Sequence, residues 1–292
     1  MIAIDLGSNT IRFIEYDGEI WGKSYEKIVR TAENLHQTHT IGVNAIQRIV
    51  GAIHEAQKII DFSSQEIRAY TTAAMRLAEN SNDVLDAIKH STGIDFTVID
   101  GEKEALLTLN AVRYRLRALD LEPACFLLAD IGGGSTELTL CTRTNIETLS
   151  LDIGIVTLSE SINDENTMEN RIQSFKKSVR ESLNGEPSIL VLTAGTPTTI
   201  AAYLLGMDYE SYDPQKINGY RLGLAECYRV NHELLAMDEA ARSRYVGVGR
   251  ENLIIAGILM VTSIYEALMC DEAIIIDDGL REGIALEYYN PS

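Results

Sequence analysis

The apolar residues of this chain fall into two rhythms, short runs bounded by glycine or polar residues and longer stretches with helical spacing. Ile2–Leu6 is such a run, ends at Gly7 and predicts a strand. Arg12–Asp17 and Ile20–Ile28 predict two more, joined at the turn dipeptide Asp17-Gly18. Val43, Ile46, Ile49, Val50, Ile53, Ala56 and Ile60 recur on one helical face, which predicts a helix over Val43–Ile60. Ile67–Tyr70 and Phe96–Ile99 read as strands on either side of a helix at Asn82–His90. Glu102–Leu119 reads as a longer helix with acidic residues at its start.

After Pro123 the order restarts. Phe126–Ile131 is almost wholly apolar, the pattern of a strand buried on both faces. Thr136–Cys141 and Ile146–Asp152 follow as strands. Helices are expected at Met168–Leu183, Thr198–Leu205, Leu224–Met237 and Leu253–Met269, strands at Ile189–Leu192 and Ala273–Ile276, and a last helix at Leu280–Tyr289. Three strands, a helix and alternating βα units thus occur twice. The local sequence repeats as well: Asp5-Leu6-Gly7-Ser8-Asn9-Thr10 is answered by Asp130-Ile131-Gly132-Gly133-Gly134-Ser135-Thr136. Such duplication implies two related α/β domains, residues 1–122 and 123–278, with helix 279–292 packing back on the first. Each carries one glycine-turn loop, and the interface between them is the expected ligand cleft.

The length of 292 residues fits two domains at roughly 100–200 residues each. The start, Met-Ile-Ala-Ile-Asp, has no basic segment and Asp5 interrupts its apolar run, which argues against a signal peptide. The longest apolar stretch, Leu253 to Val261, is too short to span a bilayer. Cys125, Cys141, Cys227 and Cys270 are scattered and show no metal-ligand or disulfide spacing, so a cytoplasmic location is expected, without membrane attachment. A net charge of −18 repels polyanions and argues against DNA or RNA as partners. It also works against a phosphate-rich substrate unless a cation or a local cluster of donors overcomes it.

Chemistry concentrates in the two loops. Gly132, Gly133 and Gly134 let the backbone bring N–H groups close to an anion, and Ser135 and Thr136 add hydroxyl donors. Asp130 and Glu137 supply hard oxygen ligands suited to Mg²⁺. The alternative is a plain hairpin turn with a bulge. In the first loop Asp5 would face the metal while Gly7, Ser8, Asn9 and Thr10 bind phosphate; alone, that segment reads equally well as a turn. Gly195-Thr196-Pro197-Thr198 follows a strand and places a helix N-terminus, which can bind an anion or serve as a structural joint.

Together with Thr72…Arg76, Gly101…Glu104-Ala105 and Gly279-Leu280-Arg281-Glu282-Gly283, these segments resemble, in order and over the whole chain, the Ppx/GppA family. Its members are exopolyphosphatases and guanosine pentaphosphate phosphohydrolases with two actin-like, ribonuclease H-like α/β domains and an interdomain cleft. The length resembles the short, two-domain form. The resemblance implies Glu104 as the general base that orients water, in a segment that composition alone would read as a solvated first helical turn. It implies Arg76 as a guanidinium pointing into the cleft, where a surface arginine is the other reading. The Gly279–Gly283 segment reads as structural. Three segments depart from the family pattern: Lys103 replaces a glutamate beside Glu104, Asn218 replaces a histidine, and Arg250-Glu251-Asn252 replaces Arg-Ala-Asp.

The resemblance implies Mg²⁺ (or Mn²⁺) as cofactor and inorganic polyphosphate or pppGpp as substrate, and a homodimer is compatible with it. Two other readings stay open. One is an actin-like ATPase or small-molecule kinase, which would bind adenosine and turn over only with an acceptor. The other is a catalytically weak (p)ppGpp sensor, which would bind tightly without turnover.

Overall fold

The computed structural model describes residues 1–160, 165–181, 187 and 189–290. The chain divides into two compact units, Met1–Ala111 with Leu280–Ser292, and Val112–Gly279.

The first unit runs β1 (Ile2–Leu6), β2 (Thr10–Tyr16), β3 (Trp21–Ile28), α1 (Leu35–Thr38), α2 (Val43–Ile59), β4 (Ile67–Thr71), α3 (Ala73–Leu77), α4 (Ser81–Thr92), β5 (Phe96–Val98) and α5 (Gly101–Ala118). Its sheet is ordered β3-β2-β1-β4-β5. Strand β1 pairs antiparallel with β2 and parallel with β4, and all five of its residues are buried, which is why its apolar run does not alternate. The strand period still sorts its side chains. Ala3 joins Ile14, Leu107, Ala111, Ile284 and Ala285 in one apolar cluster, so Asp5, two residues on, shares the sheet face packed by α5 and the last helix.

The second unit runs β6 (Phe126–Ile131), β7 (Thr136–Cys141), β8 (Ile146–Leu151), α6 (Ile155–Ser159), α7 (Glu165–Glu181), β9 (Leu190–Thr193), α8 (Gly195–Leu204), α9 (Pro214–Ile217), β10 (Tyr220–Gly223), α10 (Leu224–Leu235), α11 (Glu239–Val246), α12 (Leu253–Leu268) and β11 (Glu272–Ile275). Its sheet is ordered β10-β11-β9-β6-β7-β8. Read from β8, the order β8-β7-β6-β9-β11 repeats that of the first sheet, and β10 is an added antiparallel edge. The sequence repeat is therefore a repeat of topology. The apolar helix α12 lies at the centre of this core, with Ile258, Met260, Val261, Ile264 and Tyr265 all buried. Burial of such side chains stabilises by about 1.5–3 kcal/mol each.

Helix α13 (Leu280–Tyr289) completes the first unit. Its Gly283 lies so close to α5 that an added Cβ would sit 2.1 Å from the carbonyl oxygen of Leu107, so no side chain fits there. Elements α1, α3, α6, α9, β10 and α11 are not among those expected from the residue pattern. They are short or bury little: α11 buries only Val246 and β10 only Leu222. Helix α8 begins three residues before its expected start, which puts Pro197 in the first turn, where a missing N–H costs no helical bond. Residues 182 and 183 of the expected helix Met168–Leu183 lie outside the described residues. No helix among the described residues is long and apolar enough to cross a membrane.

Candidate active site

The first loop is the β1–β2 turn. Gly7 N–H donates to the Thr10 carbonyl at 3.0 Å and closes it. The Ser8 carbonyl accepts from Ala32 N–H at 2.8 Å, and the Asn9 carbonyl accepts from Val29 and Arg30 N–H at 2.8 and 2.9 Å. Because a trans peptide points its C=O and N–H in opposite directions, these bonds turn the N–H groups of Asn9 and Thr10 away from the 29–32 segment. Ser8 and Asn9 are buried, and Thr10 is half-buried. The turn thus has the geometry of an anion-binding backbone.

The second loop, β6–β7, is built alike. Gly132 N–H donates to the Ser135 carbonyl at 3.0 Å. The Gly132 and Gly133 carbonyls accept from Ile155 and Val156 N–H, at 3.0 and 2.8 Å, in the first turn of α6. That orients the N–H groups of Gly133 and Gly134 outward from α6. Gly154, not singled out in the sequence, makes this possible: a Cβ there would lie 2.5 Å from the Gly133 carbonyl. Its signal is a lone glycine between a strand and a short helix. Ser135 is buried inside the turn. Thr136, expected as a donor, lies in β7, fully buried, with its hydroxyl donating to the Ile153 carbonyl at 2.7 Å.

The acids expected at the metal sit in two settings. Asp5 is paired in register with Arg12, whose Nη1 lies 3.6 Å from its Oδ2. Asp130 is paired in register with Glu137, so two carboxylates stand directly opposite each other on one sheet face. Glu137 is buried and accepts from the Ser150 hydroxyl at 2.8 Å. Directly opposed like charges are destabilising, and a divalent cation relieves them. Mg²⁺ is commonly held by one or two carboxylates, with water and substrate phosphates filling the remaining positions, so this pair fits it. Among the described residues no group of three or more His, Cys, Asp or Glu side chains is arranged to hold a metal.

The two residues expected to act on the substrate are in contact. Arg76, on α3, donates through Nη1 to Glu104 Oε2 and to the Ile99 carbonyl, both at 2.9 Å. Glu104 is buried in the first turn of α5. That turn is capped by Asp100, whose carboxylate accepts from Lys103 N–H at 2.8 Å and whose carbonyl accepts from Glu104 N–H at 3.0 Å.

Gly195 and Thr196 open α8, after Ala194 at a strained φ of 77°. Arg250 lies over this end; its Nη2 would be 2.2 Å from a Cβ on Gly195. A guanidinium beside a helix N-terminus gathers two positive contributions at one point. Thr196 points elsewhere: its hydroxyl is buried without a hydrogen-bond partner and would be 2.2 Å from a Cβ on Gly257 of α12. Only the backbone of Thr196 can serve an anion. Of the departures, Asn218 accepts from Asp277 N–H at 2.7 Å, Glu251 accepts from Gly249 N–H at 2.8 Å, and Lys103 forms an ion pair with Glu287.

The sequence model of the Ppx/GppA phosphatase family matches residues 23–290. Exopolyphosphatase 1 of Mycobacterium tuberculosis is 30% identical over 97% of this chain and 86% of its own length. Exopolyphosphatase 2 of the same organism is 28% identical, with 97% of each chain covered. The crystal structure of the Aquifex aeolicus Ppx/GppA family member is 27% identical, covers 98% of this chain and 96% of its own, and superposes with a TM-score of 0.77. The two mixed sheets with flanking helices match the actin-like two-domain fold of these structures. With duplicated loops, an Arg76–Glu104 pair and a match over nearly the whole length, the chain belongs to the Ppx/GppA phosphatase family, a family of exopolyphosphatase-type phosphohydrolases.

Proposed function

We propose that this chain releases the terminal phosphate of inorganic polyphosphate, with pppGpp as the second candidate substrate. The observation that carries the reading is the ion pair between half-buried Arg76 of α3 and buried Glu104 at the start of α5. The names of the mycobacterial relatives support polyphosphate.

In this mechanism Glu104 accepts a proton from water as the water oxygen attacks the terminal phosphorus. The bridging P–O bond breaks and its electron pair stays on the shortened chain. Arg76 has five N–H donors, and the two bonds described use only Nη1, so its planar fork can also take a phosphate oxygen. Each turn, taken by itself, offers backbone N–H groups able to bind phosphate oxygens. Asp130 and Glu137 would hold Mg²⁺, which when bound neutralises phosphate charge. Most of the acceleration comes from positioning and charge neutralisation.

The test is phosphate release with Mg²⁺ from long polyphosphate, short polyphosphate, pppGpp and ATP, for the wild-type chain and Glu104→Gln. A general base contributes about 10²–10⁴-fold, so Glu104→Gln is expected to lose turnover by that factor. Unchanged turnover in that variant removes Glu104 from the mechanism, and no release from any substrate removes the reading.

A further inference from the structure

We infer that Lys103 and Glu287 are a positioning pair that sets the direction of Glu104; this rests on Glu104 being the base proposed above. The Asp100 cap fixes the backbone of the first turn of α5. The buried face of that helix, Leu107 and Ala111 among it, sets its overall rotation against its neighbours, and two side-chain contacts hold its first turn. On one flank Arg76 of α3 holds the Glu104 carboxylate at 2.9 Å. On the other, the Lys103 ammonium forms an ion pair with Glu287 of α13.

The second contact belongs to a helix–helix register. Leu107 meets Gly283, and Lys103 meets Glu287. Each step is four residues, about one helical turn, on both helices and in opposite directions, so α5 and α13 run antiparallel here. The Gly283 contact, where a Cβ would stand 2.1 Å from the Leu107 carbonyl, admits almost no sliding. Lys103 and Glu104 are neighbours about 100° apart around the axis. A tether on Lys103 therefore limits the rotation that would swing Glu104 off Arg76. The pair is 40% and 17% exposed, so it contributes little to stability. Its contribution lies in geometry, where small displacements of a reacting group cost large factors in rate.

The test uses the full chain and Mg²⁺-dependent release from polyphosphate. Lys103→Met and Glu287→Gln are each expected to lower kcat about tenfold, with KM within about twofold of wild type. Lys103→Arg and the exchange Lys103→Glu with Glu287→Lys are expected to restore it. Single variants with wild-type kcat overturn the inference. So does a loss that appears in KM alone, or one that neither Lys103→Arg nor the exchange recovers, which is the behaviour of a structural contact only. Glu104→Gln is measured alongside. If it turns over normally, or if the wild type releases no phosphate, the reading of the base fails and this inference with it. If Glu104→Gln is inactive while Lys103→Met is normal, only the positioning pair fails.

Discussion

The β1–β2 and β6–β7 turns are the same device with different cross-strand pairs, an acid facing a base in one and two acids in the other. Their registers align Asp5 with Asp130, Gly7 with Gly132 and Arg12 with Glu137. Each is closed by the same 3.0 Å bond across four residues, and each has two consecutive carbonyls tied to a following segment. The tied carbonyls are Ser8 and Asn9 in one turn and Gly132 and Gly133 in the other, a shift of one residue. What differs is the side chain opposite the aspartate. Asp5 faces the Arg12 guanidinium, whereas Asp130 faces a second carboxyl, that of Glu137. The backbone device is duplicated, while the side chain at a single cross-strand position differs between the copies.

The largest test of that division is Glu137→Arg, which gives the second turn the charge pattern of the first. Phosphate release is expected to fall about 10²-fold or more and to lose its response to added Mg²⁺, read by titrating the metal in the release assay. An unchanged metal response would mean that Asp130 and Glu137 are not the cation site. Next comes the anchoring of the turns. Gly154→Ala forces a methyl to 2.5 Å from the Gly133 carbonyl and is expected to cost about 1–3 kcal/mol in urea unfolding.

Arg12→Gln is expected to cost about 1 kcal/mol at pH 7, because it removes the guanidinium beside a buried carboxylate. Wild-type stability in that variant would contradict the pairing. The smallest effect separates the two glycines that open the turns. A Cβ on Gly7 meets the Thr10 carbonyl at 3.5 Å, an ordinary contact, whereas one on Gly132 meets Ser135 at 3.0 Å. Gly7→Ala is expected to stabilise by about 0.4 kcal/mol or more, and Gly132→Ala to gain nothing, by the same unfolding measurement.

These expectations show what residue order can and cannot carry. Strands β1, β6 and β7 and helix α13 have the bounds their apolar runs predict, since glycine or a change of period marks both ends. Helix α11, Glu-Ala-Ala-Arg-Ser-Arg-Tyr-Val, has no apolar face to announce it, and β10 is four residues held in place by β11. At the site, Arg76 and Glu104 are each legible from their motifs, but their contact joins residues on different helices and no local pattern encodes it. The hydroxyls of Thr136 and Thr196 mislead for the same reason. Their types suit a phosphate, yet Ile153 and Gly257, distant in sequence, decide where they point.

The placement of α13 has a consequence for how the protein is made. Met1, Ala3 and Ile14 share a core cluster with Ile284 and Ala285. During translation the first strand emerges early, yet the helix that covers its apolar side leaves the ribosome only after all of the second unit. The second unit ends at Gly279, before α13 begins, so its own residues are all present while the first unit still waits. For that interval α5, with Leu107 and Ala111, is the part of that cluster's helical cover already made. Helix α13 therefore closes the first unit from the far side of the second: a chain cut short before it lacks Ile284, Ala285 and Leu286 of that core.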